Sequence, residues 1–385
     1  DGNGFGDFAY EPPTGFLAVC SANVLIDDDV DPAQTDDDFI GGKQFNAVEY
    51  TGNSTTGQSI TGMNLKPDLL WCKMTSSSQN NQWYDSSRLN SRDTPFGLRS
   101  DTNGAEFDDQ STGNTNEIIS SFDTDGFTLG GSGSGPNDSG RTYIAMGWRA
   151  NGGVTSSNSD GSITSTVQAN TKAGFSIVTF TSPNNTSDQT VGHGLNAAPD
   201  FIISKNRDSS FNWDTFCSEY SDTTTSLRLN TTDGPQSGRW GTVNSSIITT
   251  KNGNTHSGTD KFVFYVWHNV EGFQKFGTYP GAGDNDGTYI HLGFRPRFVL
   301  IKKANQASTT YGWPCFLDIV NDNINDQYFD NWWADQTVAA SGNYPVNFLS
   351  NGFKHRNNNT NLDSSGNTYL YAAWGDVPFK YGNTF

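Results

Sequence analysis

Three stretches of the chain share one pattern of apolar and polar positions: a proline, a charged residue, four mostly apolar residues, then a lysine. They are Pro67-Asp68-Leu69-Leu70-Trp71-Cys72-Lys73, Pro199-Asp200-Phe201-Ile202-Ile203-Ser204-Lys205 and Pro296-Arg297-Phe298-Val299-Leu300-Ile301-Lys302. A short apolar run behind a proline predicts a buried strand entered through a fixed turn, and the lysine is expected to close it in solvent. Upstream of each lies an aromatic alternation that predicts an opening strand: Phe45 to Tyr50, Phe175 to Phe180 and Phe273 to Tyr279. Downstream come a mid-unit tryptophan (Trp83, Trp213, Trp313) and a Gly-led closing strand ending in Trp148, Trp267 or Trp374. Landmarks recurring in the same order predict three copies of one unit of about 100 residues, an ordinary domain size.

The fold class expected is all-β, with three tandem antiparallel β-sandwich domains of one repeated type. Residues 1–42 read as the end of an upstream domain plus an acidic linker. Repeat 1 spans 43–152, a Ser/Thr/Gly-rich connector 153–173, repeat 2 174–272 and repeat 3 273–385. The connector reads as extended, with strand character in Ser162 to Val167. Asp1 is neither an initiator Met nor part of a signal sequence, as expected for a portion of a longer protein.

Composition narrows the function classes. With 41 acidic against 23 basic residues the formal charge is −18, which repels phosphates and anionic lipid and argues against nucleic acid or membrane as a direct partner. Asp, Asn, Gly, Ser and Thr dominate over Glu, which is turn and strand chemistry rather than helix chemistry. Four cysteines, Cys20, Cys72, Cys217 and Cys315, give no repeat a pair to bridge, so they read as small buried hydrophobes.

Candidate chemistry is sparse. Aligning Leu65, Leu195 and Phe294 sets His193 opposite Met63 and Leu292, so it reads as a packing position. No Gly-x-Ser-x-Gly, His-Glu-x-x-His or Gly-x-x-x-x-Gly-Lys motif occurs. Carboxylate pairs such as Asp214 with Glu219 could cleave a glycosidic bond, but nothing in their spacing isolates one pair among 41 acids. The runs Asp27-Asp28-Asp29 and Asp36-Asp37-Asp38 could gather calcium, though a solvated linker explains them as well, and Asp123 to Gly126 and Asp284 to Gly287 read as turns. No catalytic, metal or cofactor residues are assigned. Trp148, Trp267 and Trp374 recur and are expected in the core. Trp240, Tyr311, Trp332 and Trp333 do not recur, fall in polar loop-like contexts and are the candidate ligand-stacking residues. Trp332-Trp333 sets two rings on opposite sides of an extended segment.

Gly174-Phe175-Ser176-Ile177-Val178-Thr179-Phe180, Val191-Gly192-His193-Gly194-Leu195 with Ala198-Pro199-Asp200, and Gly293-Phe294-Arg295-Pro296 to Ile301-Lys302-Lys303 resemble a repeated domain of unknown function. It is found in tail-fibre-like and virion structural proteins of marine bacteriophages. The bridge Ala150-Asn151-Gly152-Gly153 to Ser162-Ile163-Thr164-Ser165-Thr166 is also typical of it. The leader Gly4-Phe5-Gly6-Asp7-Phe8 with Pro12-Pro13-Thr14-Gly15 is similar to the tail of a SPRY-like domain. The resemblance implies an extracellular virion appendage, a homotrimer with other virion proteins as partners, attaching to host cell-surface polysaccharide; the family has no assigned catalytic residues to carry over. Two rivals stand beside this reading: a non-binding spacer or decoration protein, and a glycan-cleaving enzyme. Exposed aromatics on one rim would support attachment, aromatics buried between units the spacer, and a cleft with two close carboxylates the enzyme.

Overall fold

A computed structural model describes residues 42–375 except 109–117, 132–134, 221–223, 309–311 and 321–328, together with Tyr10, Pro13, Asp38 and Phe39. The chain is all-β: apart from a three-residue 3-10 turn at Asp318–Val320, every regular element among the described residues is a strand in an antiparallel sheet. The two leading aspartate runs fall outside the described residues, except Asp38.

Each repeat builds a large sheet with the same central order. In the first, the opening strand Phe45–Thr51 pairs with the closing strand Thr142–Trp148, which pairs with Leu69–Met74, then Gln82–Leu89 and Pro95–Arg99. The second runs Phe175–Thr181, Lys261–Trp267, Phe201–Asn206, Asp214–Cys217, Leu227–Arg228, and the third Gln274–Pro280, Thr368–Gly375, Pro296–Lys303, Pro314–Leu317, Phe329–Trp333, Ser341–Tyr344. The connector contributes Ser156–Asn158 and Ser165–Asn170, which extend the second sheet beyond its opening strand. Three smaller sheets accompany the large ones: Gln58–Ile60 with Gly126–Leu129 and Ile119–Asp123, Gln189–Gly192 with Ile247–Thr250 and Trp240–Val243, and Tyr289–His291 with Gly352–His355 and Val346–Leu349.

Side-chain alternation explains the apolar runs of the sequence. On one face of the Pro-to-Lys strands, Leu70 and Cys72, Ile202, or Val299 and Ile301 pack with residues of the smaller sheet, giving each repeat a sandwich-like outer core. On the other face, Leu69 and Trp71, Phe201 and Ile203, and Phe298 and Leu300 join one further cluster that all three repeats share. Its centre is aromatic: the closing tryptophans Trp148, Trp267 and Trp374 lie 5.4 to 6.2 Å apart in all three pairings, each edge to face. The repeats therefore do not run in series on separate cores alone; they close around a common one. A strand buried on both faces cannot alternate apolar with polar, which is why these strands read as continuous apolar runs.

The lysines are the clearest departure from expectation. Lys73, Lys205 and Lys302 share the inner face with Leu69, Phe201 and Phe298, and all three are buried rather than solvated. Each reaches across a seam to a backbone carbonyl of another repeat: Lys73 Nζ to Thr337 O (2.9 Å), Lys205 Nζ to Asn103 O (3.1 Å) and Lys302 Nζ to Thr231 O (3.1 Å). The direction is cyclic, from repeat 1 to 3, 2 to 1 and 3 to 2. Lys73 and Lys205 also donate to Gln79 O (2.7 Å) and Phe211 O (2.9 Å), six residues on in their own loops. Burial pushes these amines down to about 8, about 7 and about 8 respectively.

Strand register also corrects one landmark. Counting from the residues opposite the closing tryptophans, Trp213 and Trp313 correspond to Asn81 and not to Trp83, which corresponds to Thr215 and Cys315. Asn81 makes the equivalent seam bonds: Trp213 Nε1 donates to Arg99 O and Thr102 O (both 3.0 Å), Trp313 Nε1 to Arg228 O (2.7 Å), and Asn81 Nδ2 to Trp333 O (3.0 Å) and Gln336 O (2.8 Å).

Candidate functional site

All ten tryptophans are buried, including three of the residues the sequence offers for ligand stacking. Trp240 is not in a loop. It opens a strand of the second small sheet, donates Nε1 to Thr215 O (3.0 Å) and packs edge-on against Phe216 and Phe264. By register its counterparts are Ile119 and Val346, so it fills a core position that happens to hold a larger ring. Trp332 corresponds to Leu98 and Leu227 and stacks on Phe298 (5.9 Å, 10°) in the shared core. Tyr311 lies outside the described residues. Neither Trp240 nor Trp332 presents a face to a ligand, because each satisfies a packing position that its sister repeats fill with aliphatic side chains.

Trp333 differs. It points to the opposite face from Trp332, into the outer core of repeat 3, and is 4% exposed at the edge of a cavity of about 410 Å³. Tyr344 stands edge-on to it at 6.0 Å, Ser341 and Asn359 supply polar groups, and Val338, Ala339 and Ala340 complete the wall. Asn361 Nδ2 donates to the Tyr344 hydroxyl (3.1 Å), which fixes that ring. The wall is held from another repeat: Ala340 N donates to Thr75 O (3.0 Å) and Gln79 N to Thr337 O (2.8 Å). No charged side chain lines the cavity. Sequence spacing could mark Trp333 as exceptional but could not find Ser341, Tyr344 or Asn359, which adjoin it only through strand pairing and the seam.

Other titratable groups are placed for packing. His193 is buried, with Nε2 3.0 Å from Asn244 O and Nδ1 accepting from Leu195 N (3.3 Å); burial lowers its basicity. Asp214 is buried beside Ser226 Oγ (3.0 Å), while Glu219 is exposed. Burial raises the Asp214 carboxyl above the usual range. Among the described residues no group of three or more His, Cys, Asp or Glu side chains is arranged to hold a metal, and no helix is long and apolar enough to cross a membrane.

A single family model, Domain of unknown function (DUF7483), matches residues 41–378. The chain belongs to this family. That one match takes in all three repeats together, in keeping with their shared core. No curated protein and no solved structure matches the chain.

Proposed function

We propose that this DUF7483 chain is a rigid, non-enzymatic body of a bacteriophage virion appendage that binds host cell-surface glycan through the cavity at Trp333. In this reading 43–152, 174–272 and 273–385 are three β-sandwich domains of one type, extracellular as part of the particle, and no cofactor is needed. The observation that carries it is the cavity: an aromatic pair beside hydroxyl and amide groups, uncharged, and sized for one or two sugar rings, is the chemistry that holds a saccharide. One such site binds weakly, so a homotrimer of chains on other virion proteins would gain by presenting several at once.

The spacer reading is favoured by a specific observation, the burial of Trp240 and Trp332 in cores rather than on a rim. The two readings separate on binding of the labelled chain to a panel of bacterial surface polysaccharides, with Trp333→Arg as control. Arginine is the residue at this position in both sister repeats, Arg99 and Arg228. Saturable binding weakened at least tenfold by the substitution supports attachment; absence of binding across the panel, with the chain folded, leaves the spacer.

A further inference from the structure

The three repeats can be compared position by position at this cavity, and they diverge there. Two residues before Trp333 on the same strand face lies Asn331, and its register partner on the next strand is Ser341, which lines the cavity. The same pairing with the same ten-residue spacing joins Gly97 to Phe107 in repeat 1 and Ser226 to Gln236 in repeat 2. In repeat 1 the place is filled by the chain itself: a Cβ on Gly97 would fall 2.3 Å from the Phe107 ring, and Arg99 lies over that ring at 4.4 Å. In repeat 2, Ser226 is satisfied by Asp214 and by its own strand. In repeat 3 the small Ser341 stands where Phe107 stands, and space remains.

Paired across the strands with the lining residue Ser341, but not itself part of the lining, Asn331 is 0% exposed, and neither its Oδ1 nor its Nδ2 has a hydrogen-bond partner in the protein. A buried polar group left unsatisfied costs about 1–3 kcal/mol, and this one carries a donor and an acceptor side by side. We propose that the cavity takes a sugar bearing an acetamido group, whose ring occupies the place Phe107 fills in repeat 1 and whose amide pairs with Asn331. The acetamido N–H donates to Oδ1 and its carbonyl accepts from Nδ2, while the sugar's apolar face meets Trp333. Because Asn331 is fully buried beside the lining, the amide contact requires the cavity wall to open at Ser341, its cross-strand neighbour. The absence of a charged lining residue fits a neutral N-acetylated sugar rather than an acidic one. The inference rests on the saccharide-binding reading above and narrows it to one ligand class and one site per chain.

The test is titration of the full chain with methyl N-acetylglucosaminide and with methyl glucoside, followed by tryptophan fluorescence and ligand-observed NMR. The N-acetylated sugar is expected to bind at least tenfold more tightly. Asn331→Leu should abolish that preference without lowering the melting temperature, since it removes an unsatisfied polar group. The double variant Asn331→Gly with Ser341→Phe, which transplants the repeat-1 pair, should abolish binding of both. Equal affinity for the two sugars, or a preference unchanged in Asn331→Leu, overturns the acetamido inference and leaves saccharide binding standing. Binding of neither sugar, with no polysaccharide bound either, overturns both.

Discussion

Raising the pH from 7.0 to 8.5 should stabilise the protein, because three lysines are buried where their charge is poorly solvated. An amine whose basicity is lowered by folding leaves the unfolded chain holding more protons, so stability rises with pH between the folded and the unfolded value of about 10.5. With folded values of about 7 for Lys205 and about 8 for Lys73 and Lys302, the gain over this interval is about 1.6 kcal/mol from Lys205 and about 0.8 kcal/mol from each of the others. Cys72, Cys217 and Cys315 oppose it. Burial pushes their thiols up from 9.0, so the unfolded chain ionises first, costing together about 0.5 kcal/mol by pH 8.5. The net expectation is a gain of about 2–3 kcal/mol, measured by urea denaturation at the two pH values. Lys205→Met should remove about half of the lysine contribution to the slope. A flat or falling stability, or a slope untouched by Lys205→Met, would refute the placement of the amines.

Two further outcomes follow from other buried groups. Arg88 is fully buried at the seam of repeats 1 and 2, bonded to Asp85 (2.6 Å), Glu106 (3.1 Å) and the Tyr265 hydroxyl (3.3 Å); Glu106 also pairs with Arg207 (2.8 Å), so Arg88→Met should cost about 3–5 kcal/mol chiefly by leaving the Asp85 charge buried without its cation, read as a lowered denaturation midpoint. His355 has no hydrogen-bond partner for either ring nitrogen, and burial lowers it to about 4. Stability should therefore fall as pH drops from about 6.5 towards 4, and His355→Leu should flatten that acid limb without loss at pH 7, because Leu129 fills the equivalent position in repeat 1.

Much of the fold was legible because strand alternation and repetition are local. The opening, Pro-to-Lys and closing strands lie where the apolar runs placed them, and the opposite facing of Trp332 and Trp333 followed from period-two geometry alone. What escaped was whatever a neighbouring repeat supplies. Lys205 reads as a strand terminus in solvent until Asn103 O is brought above it. Trp83 passes for the counterpart of Trp213 because repeat 1 carries Asn81 eight residues past its lysine, where repeat 2 carries Trp213, and has its own tryptophan two residues later; only the register exposes Asn81 as the true equivalent. Trp240 looked exposed because its polar neighbours, Arg239 and Gly241, alternate away from the core that the indole enters.

The cyclic seam carries a consequence for how the three repeats depend on one another. A lysine ammonium buried in an isolated repeat would lose the carbonyl that the next repeat contributes, and the inner face of each large sheet would expose its aromatics. Because the dependence runs from 1 to 3, from 3 to 2 and from 2 to 1, no repeat is terminal and none can be omitted without opening two seams. Such closure constrains inner-face positions in all three copies, which is why they remain alike in chemistry: Leu69, Phe201 and Phe298 under Trp148, Trp267 and Trp374, each followed four residues on by a buried lysine. It places no such demand on the outer strands, where Gly97 and Phe107, Ser226 and Gln236, and Asn331 and Ser341 occupy one pairing with three different chemistries. Divergence among copies bound by the same closure is what that freedom allows, and in repeat 3 it falls beside the cavity at Trp333.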